Sequence, residues 1–158
     1  MKKFLLWPIL SLILISCGAS KEIKQQEKGF SGDWKLISVD YPDASGFFDV
    51  TLFEVASSQC FEGSKWNFIA NNNSGSVEIF DNDCIVPEQN LVWSLQQSNQ
   101  LYYDYDILIK MADDEKASRK KRGSRMQLKQ ISENSMVWDL NVNFQGKPMI
   151  VELNFVKI

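Results

Sequence analysis

From Phe30 onward the chain alternates between apolar and polar positions, and clear turn signals interrupt the alternation. Trp34 and Leu36 point one way and Lys35 the other, which predicts a first strand over 30–40, ended by Tyr41-Pro42-Asp43. A second strand over 65–70 puts Trp66 and Phe68 on one face. Asn71-Asn72-Asn73-Ser74-Gly75 then supplies a hairpin turn, and Val77 and Ile79 alternate on the return. Leu91, Trp93 and Leu95 alternate with Val92, Ser94 and Gln96 before a turn at Ser98-Asn99. Leu101, Tyr103, Tyr105, Ile107 and Ile109 mark a long strand with Asp104, Asp106 and Lys110 on its other face. A strand over 125–131 follows. Met136, Trp138, Leu140, Val142 and Phe144 give the cleanest period-2 run, and after a turn at 145–147, Met149, Val151, Leu153 and Phe155 complete the set.

Two stretches depart from this rhythm. Residues 43–64 form a long connection, yet they carry Phe47, Phe48, Val50, Leu52, Phe53 and Val55, with Leu52, Val55 and Ala56 at helical spacing. The expectation is a loop and short helix folded back as a plug, its end pinned by Cys60, because an apolar connection covers apolar surface. Residues 19–28 are polar and read as a flexible tether, with a short helix as the alternative.

Eight strands joined mostly by tight turns predict an all-β fold: an antiparallel up-and-down barrel with a short plug after its first strand. Closure removes exposed edges and encloses the apolar face. An eight-stranded barrel has room inside for side chains or for one small ligand. A flattened two-sheet sandwich with the same strand order is the other arrangement that the pattern permits.

The first residues are of another kind. Met1-Lys2-Lys3 precedes an apolar stretch over 4–15, broken by Pro8 and Ser11. It falls short of the ~20 residues that span a bilayer but suits a signal peptide. Leu14-Ile15-Ser16-Cys17 resembles a lipobox. The resemblance implies removal of residues 1–16, a diacylglyceryl thioether on Cys17 and N-acylation of the new terminus with a chain such as palmitate. Gly18 stands where Asp would favour the inner membrane, so the expected address is the outer membrane of a Gram-negative cell envelope. The organisation is then a signal peptide (1–16), a lipidated tether (17–29) and a barrel domain (30–158), with the membrane as partner through the anchor.

Without Lys2 and Lys3 the chain keeps fifteen basic and twenty acidic residues, a net −5, which is not a nucleic-acid-binding balance. Cys60 and Cys84 remain as an even pair in an oxidising compartment, which suggests one disulfide; two buried thiols are the alternative. The absence of His excludes Ser-His and Cys-His catalysis and His-ligated metal sites. No Gly-rich phosphate loop occurs. No catalytic residue, metal site or cofactor is therefore assigned. The carboxylate pairs Asp81/Asp83 and Asp104/Asp106 read as loop and outer surface, with calcium at Asp81-Asn82-Asp83 the minor alternative.

The best functional lead is aromatic. By alternation Trp34, Trp66, Phe68, Trp93, Tyr103, Tyr105, Trp138, Phe144 and Phe155 take the inward register, either lining a pocket or filling the barrel. A basic cluster, Arg119, Lys120, Lys121, Arg122 and Arg125, reads as a solvated hairpin loop balanced by Asp113–Glu115, or as a contact for anionic lipid headgroups or polyanionic glycan.

Gly32-Asp33-Trp34 resembles the Gly-x-Trp opening of lipocalins. The wider pattern joins the lipobox, Gly-x-Trp, Cys60 shortly before Trp66-Asn67-Phe68, Cys84, and Trp93-Ser94-Leu95. It is similar to the lipocalin-like lipoproteins of the Bacteroidota over residues 30–158. The resemblance implies an eight-stranded barrel, Trp34 packed across one barrel end and a Cys60–Cys84 bridge. The chain lacks the Thr-Asp-Tyr segment of true lipocalins, and its last strands carry Lys147 and Lys157 but no Arg to stack on Trp34. The functional expectation is a non-enzymatic, outer-membrane lipoprotein holding a small apolar or amphipathic molecule in its barrel. The alternative is an envelope structural or interaction lipoprotein with a filled barrel.

Overall fold

A computed structural model describes residues 18–46, 48–81, 83–84, 86–112 and 122–158. The lipobox and signal segment, Phe47, Asn82 and the 119–121 part of the basic cluster lie outside the described residues. In chain order the elements are α1 (Gly18–Phe30), β1 (Gly32–Asp40), β2 (Thr51–Leu52), β3 (Ala56–Ser57), α2 (Ser58–Phe61), β4 (Lys65–Ile69), β5 (Ser74–Glu78), β6 (Gln89–Gln97), β7 (Tyr105–Ala112), β8 (Ser124–Ile131), β9 (Ser135–Phe144) and β10 (Lys147–Lys157).

Eight of these strands close into one antiparallel barrel in which β1 pairs with β4 on one side and β10 on the other, and every other neighbour is consecutive. The up-and-down barrel, rather than the sandwich, is what forms. Its registers follow the inward alternation: Leu36 faces Phe155, Trp66 faces Val77, Trp93 faces Ile109 and Trp138 faces Leu153. Irregularities between Leu36 and Ser38 in β1 and between Leu128 and Gln130 in β8 bend the wall.

One barrel end carries α1 and the connections β4–β5, β6–β7 and β8–β9. The other carries the 41–64 segment, the β5–β6 connection and the β9–β10 turn at Gln145-Gly146. At the α1 end, Gly32 has φ +124°, and a Cβ there would meet Lys157 Cε at 3.1 Å. Only glycine adopts that backbone without strain, which accounts for the first position of the Gly-x-Trp motif. Two residues on, Trp34 is fully buried, donates Nε1–H to the Phe30 carbonyl at 2.9 Å, and lies under Lys157 Nζ at 5.1 Å. Lysine thus supplies the cation over Trp34 that the missing Arg would have given. Gly75 serves a second close approach, since a Cβ there would fall 2.1 Å from the Asn67 carbonyl oxygen on β4.

Three local expectations need correction. The stretch expected as a flexible tether over 17–29 is helical from Gly18. Ile23 packs on the core and Phe30 is completely buried within it, so the helix is held by burial of one face despite its polar composition. Within the plug, the helical spacing of Leu52, Val55 and Ala56 belongs to the small β2–β3 hairpin, and the helix comes later, at Ser58–Phe61. The strand expected from Leu101 starts at Tyr105, and Leu101 and Tyr102 are each 87% exposed in the connection before it.

The bridge is formed: Cys60 on α2 and Cys84 on the β5–β6 connection are bonded, with Cα atoms 5.7 Å apart. It ties the plug to the barrel wall. Phe53 and Phe61 of the plug reach inward and contact the ring of Trp66 at 5.4 and 6.0 Å.

Candidate functional site

The nine aromatics read from the alternation do not share one fate. Trp66, Phe68, Trp138 and Phe155 form a continuous cluster. Phe155 lies 4.3 Å and Trp66 5.8 Å from Trp138, and Phe68 lies 6.0 Å from Trp66. Trp93 joins it through Phe68 at 5.7 Å and donates its indole N–H to the Ser74 carbonyl. Phe30, contributed by α1, sits in the middle, 4.7 Å from Phe68, 4.9 Å from Trp93 and 5.6 Å from Trp138. Its role was not read from the sequence, although Ile23 and Phe30 stand seven apart, the spacing of one helix face.

Trp34 closes the α1 end. Tyr105 keeps the inward register at the rim, half-buried, and donates its hydroxyl to Glu22 of α1 at 3.2 Å; burial, then that carboxylate, push its pKa up. Phe144 lies at the opposite rim against Phe48 at 5.6 Å. Tyr103 corrects the expectation: it precedes β7 and lies on the outer wall, where it donates to Asp139 Oδ2 at 2.7 Å.

Inside, every barrel strand contributes a side chain with almost no accessible surface. Leu36, Trp66, Val77, Leu91, Ile107, Met126, Met136 and Val151, one from each strand, are at most 1% exposed. Residues lining a void that admits water would keep measurable surface. At these positions the inward side chains pack against one another, as in the filling alternative that the alternation left open. Toward the barrel ends more surface remains, as at Tyr105 and in the far half of β9, where Leu140, Val142 and Phe144 face inward but are only half-buried.

The outer wall carries an unexpected polar row. Gln96, Asp106, Gln127, Asp139, Glu152 and Asp40 stand opposite one another across β6, β7, β8, β9, β10 and β1. Asp106 and Asp139 are only 2% and 1% exposed, although both face outward. Arg125 covers Asp106 at 2.6 Å, and Tyr103 and Lys129 (3.6 Å) cover Asp139. Lys129 also bonds Glu152, which raises the lysine and lowers the carboxyl. One oxygen of each buried aspartate, Oδ1, lacks a partner. Period-2 reading puts these residues on the outer face, but it carries no signal that flanking side chains would bury them.

This row is a clamp for the β6–β7 connection. Burial and the bond to Asp139 push the Tyr103 phenol up to about 12, so it remains a donor at ordinary pH. Burial works to raise the Asp106 carboxyl, but hydrogen bonds from Ser98 and Arg125 outweigh it and the net direction is down. Neither group is set to exchange a proton near neutral pH. A folded pKa below the unfolded value contributes stability above about pH 4, and that contribution disappears as pH falls through the folded value. Asp106→Asn is therefore expected to be less stable than the parent at pH 7, with the gap closing below about pH 4. Thermal melts from pH 7 to pH 2 check this; a constant gap would mean that the ionised carboxylate is not what the clamp holds.

The basic cluster divides. Arg125 is paired with Asp106 while its side chain stays 49% exposed, and Arg122 is exposed at the end away from α1. Two open grooves, of about 460 and 380 Å³, lie along the outer wall near β4–β8 and have mixed polar linings. Among the described residues, no group of three or more Cys, Asp or Glu is arranged to hold a metal ion.

Comparisons with curated proteins and with solved structures give no match. The lipocalin-like domain family matches residues 30–138, more than half of the chain and the span that holds Gly32, Trp34, both bridging cysteines and six barrel strands complete. With a closed eight-stranded up-and-down barrel behind that match, the chain belongs to the lipocalin-like domain family.

Proposed function

We propose that this chain is an outer-membrane lipoprotein, acylated on Cys17 after removal of residues 1–16, whose barrel is a solid, non-catalytic module acting through its outer surface on an envelope partner. The observation that carries this reading is that each of the eight strands contributes an inward side chain with near-zero exposure. A carrier keeps an internal volume for its cargo; here Phe30, the tryptophans and the plug occupy that volume. The lipobox and the Cys60–Cys84 bridge support an exported, oxidising location. The absence of His and the commitment of both cysteines to the bridge support a role without catalysis.

A second reading has one observation in its favour. Leu140, Val142 and Phe144 remain half-buried, with Phe48 against Phe144 at the plug end, and could seat a small apolar molecule at the rim. Native mass spectrometry of protein extracted from its own envelope separates the two. The expected result is the mass of the acylated chain alone. A stoichiometric apolar adduct, lost when Val142 and Phe144 are replaced by polar residues, would overturn the solid-module reading in favour of the carrier.

A further inference from the structure

The two faces of α1 carry different chemistry. Ile23, Gln26, Glu27 and Phe30 are turned to the barrel and are buried or half-buried. Both acidic residues of the helix are bonded to it: Glu22 accepts from the Tyr105 hydroxyl, and Glu27 accepts from Asn73 Nδ2 at 3.0 Å. Lys21, Lys24 and Lys28 are exposed, and at intervals of three and four they share the face opposite Ile23 and Phe30. A chain of net negative charge thus presents a lysine stripe at one end of its barrel.

The path of α1 also fixes where the chain leaves. Phe30 enters the barrel beside β1, Glu27 reaches the β4–β5 turn, and Glu22 reaches Tyr105 at the start of β7. Gly18 lies about 6 Å further along the axis, on the side of the β6–β7 connection. That connection is pinned to the wall through Tyr103, and it carries Leu101 and Tyr102, each 87% exposed. A Leu–Tyr pair at a loop tip suits the headgroup boundary, where an aromatic ring with a polar end is favoured.

We propose that the α1 end of the barrel docks on an anionic leaflet, with Lys21, Lys24 and Lys28 against the headgroups and Leu101 and Tyr102 inserted beside the acyl chains of Cys17. This rests on the acylation proposed above and goes further, because an anchor alone leaves the barrel free to tumble. It orients the molecule with the disulfide-bonded plug end away from the membrane. The occupant is a bilayer rather than a protein, because the exposed features converge on the residue next to the anchor and combine cationic charge with a small apolar tip.

The test uses the acylated full chain reconstituted in vesicles of phosphatidylglycerol and brominated phosphatidylcholine. Tyr102→Trp places a reporter at the tip, and Phe80→Trp places one at the opposite end, where Phe80 is 61% exposed. Bromine quenching in excess of the parent protein is expected for the first and not for the second. It should be largely lost when Lys21, Lys24 and Lys28 are changed to Glu, and largely lost for the unaltered lysines at ~1 M salt, where screening shortens to about 3 Å. Vesicle flotation and the mass of the N-terminal peptide report the anchor separately. A chain that floats but shows equal quenching at both ends, or none at Tyr102→Trp, overturns the docking and leaves the anchor standing. A chain without acyl groups overturns both.

Discussion

Trp138→Ala is expected to lower the stability of the folded chain by about 3–5 kcal/mol, and Trp138→Phe by far less. Trp138 is completely buried and touches Phe30, Trp66, Phe68 and Phe155, so truncation removes the meeting point of the helix and three barrel strands, β4, β9 and β10. The surrounding rings come from β4, β10 and α1 and are held by backbone pairing, which limits how far they can collapse into the space. Phenylalanine keeps most of the ring volume and removes the indole N–H, which is buried without an acceptor. Deleting an unsatisfied donor offsets part of the lost packing. Denaturant melts of the three proteins measure both effects. A loss of under about 1 kcal/mol for Trp138→Ala would mean that Trp138 borders a void, because a truncation that opens no new cavity loses only part of its cost. Phe30→Ala should couple to Trp138→Ala non-additively, since the rings stack at 5.6 Å.

Most of the barrel was legible because period-2 alternation is a property of each strand alone. Met136 to Phe144 states its inward face without reference to any neighbour, and Asn-rich or Gly-containing turns state where each strand ends. What was not legible depended on partners. Nothing within residues 18–30 reveals that the barrel offers an apolar hollow for Phe30, and without that burial the polar composition of the helix reads as tether. The β2–β3 hairpin was hidden for a similar reason. Phe53 and Glu54 adopt φ of 56° and 58°, a conformation a bulky residue rarely takes, and burial of Phe53 against Phe61 and Trp66 is what favours it there. Tyr103, like Leu101, continued the alternation beyond the point where β7 begins. The chain turns before β7 because the Tyr103 hydroxyl meets Asp139 on the outer wall, a contact 36 residues away in sequence. Whether inward aromatics line or fill a barrel is also beyond periodicity, since it depends on volumes summed over all eight strands together with α1 and the plug.

Cys60→Ser paired with Cys84→Ser is expected to lower stability by about 3 kcal/mol, the size that loop-closure entropy gives for a bridge over a sequence separation of 24. The closed loop contains β4 and β5, so the unfolded chain loses more freedom through this bond than the folded barrel gains in contacts. The loss should not fall evenly. β4 and β5 remain paired with β1 and β6 without it, whereas the plug is attached through Gly63 and Ser64 to Leu36, through Glu62 to the Val39 amide, and through Tyr41 to Ser58. Hydrogen exchange should therefore rise first over 48–64 in the double variant, while the amides of β9 and β10 keep their protection relative to global unfolding. Melting of the parent protein with and without reductant provides the second check. Equal midpoints would mean that the plug stays closed on packing alone. The bond would then contribute nothing that Phe53, Phe61 and Trp66 do not already supply.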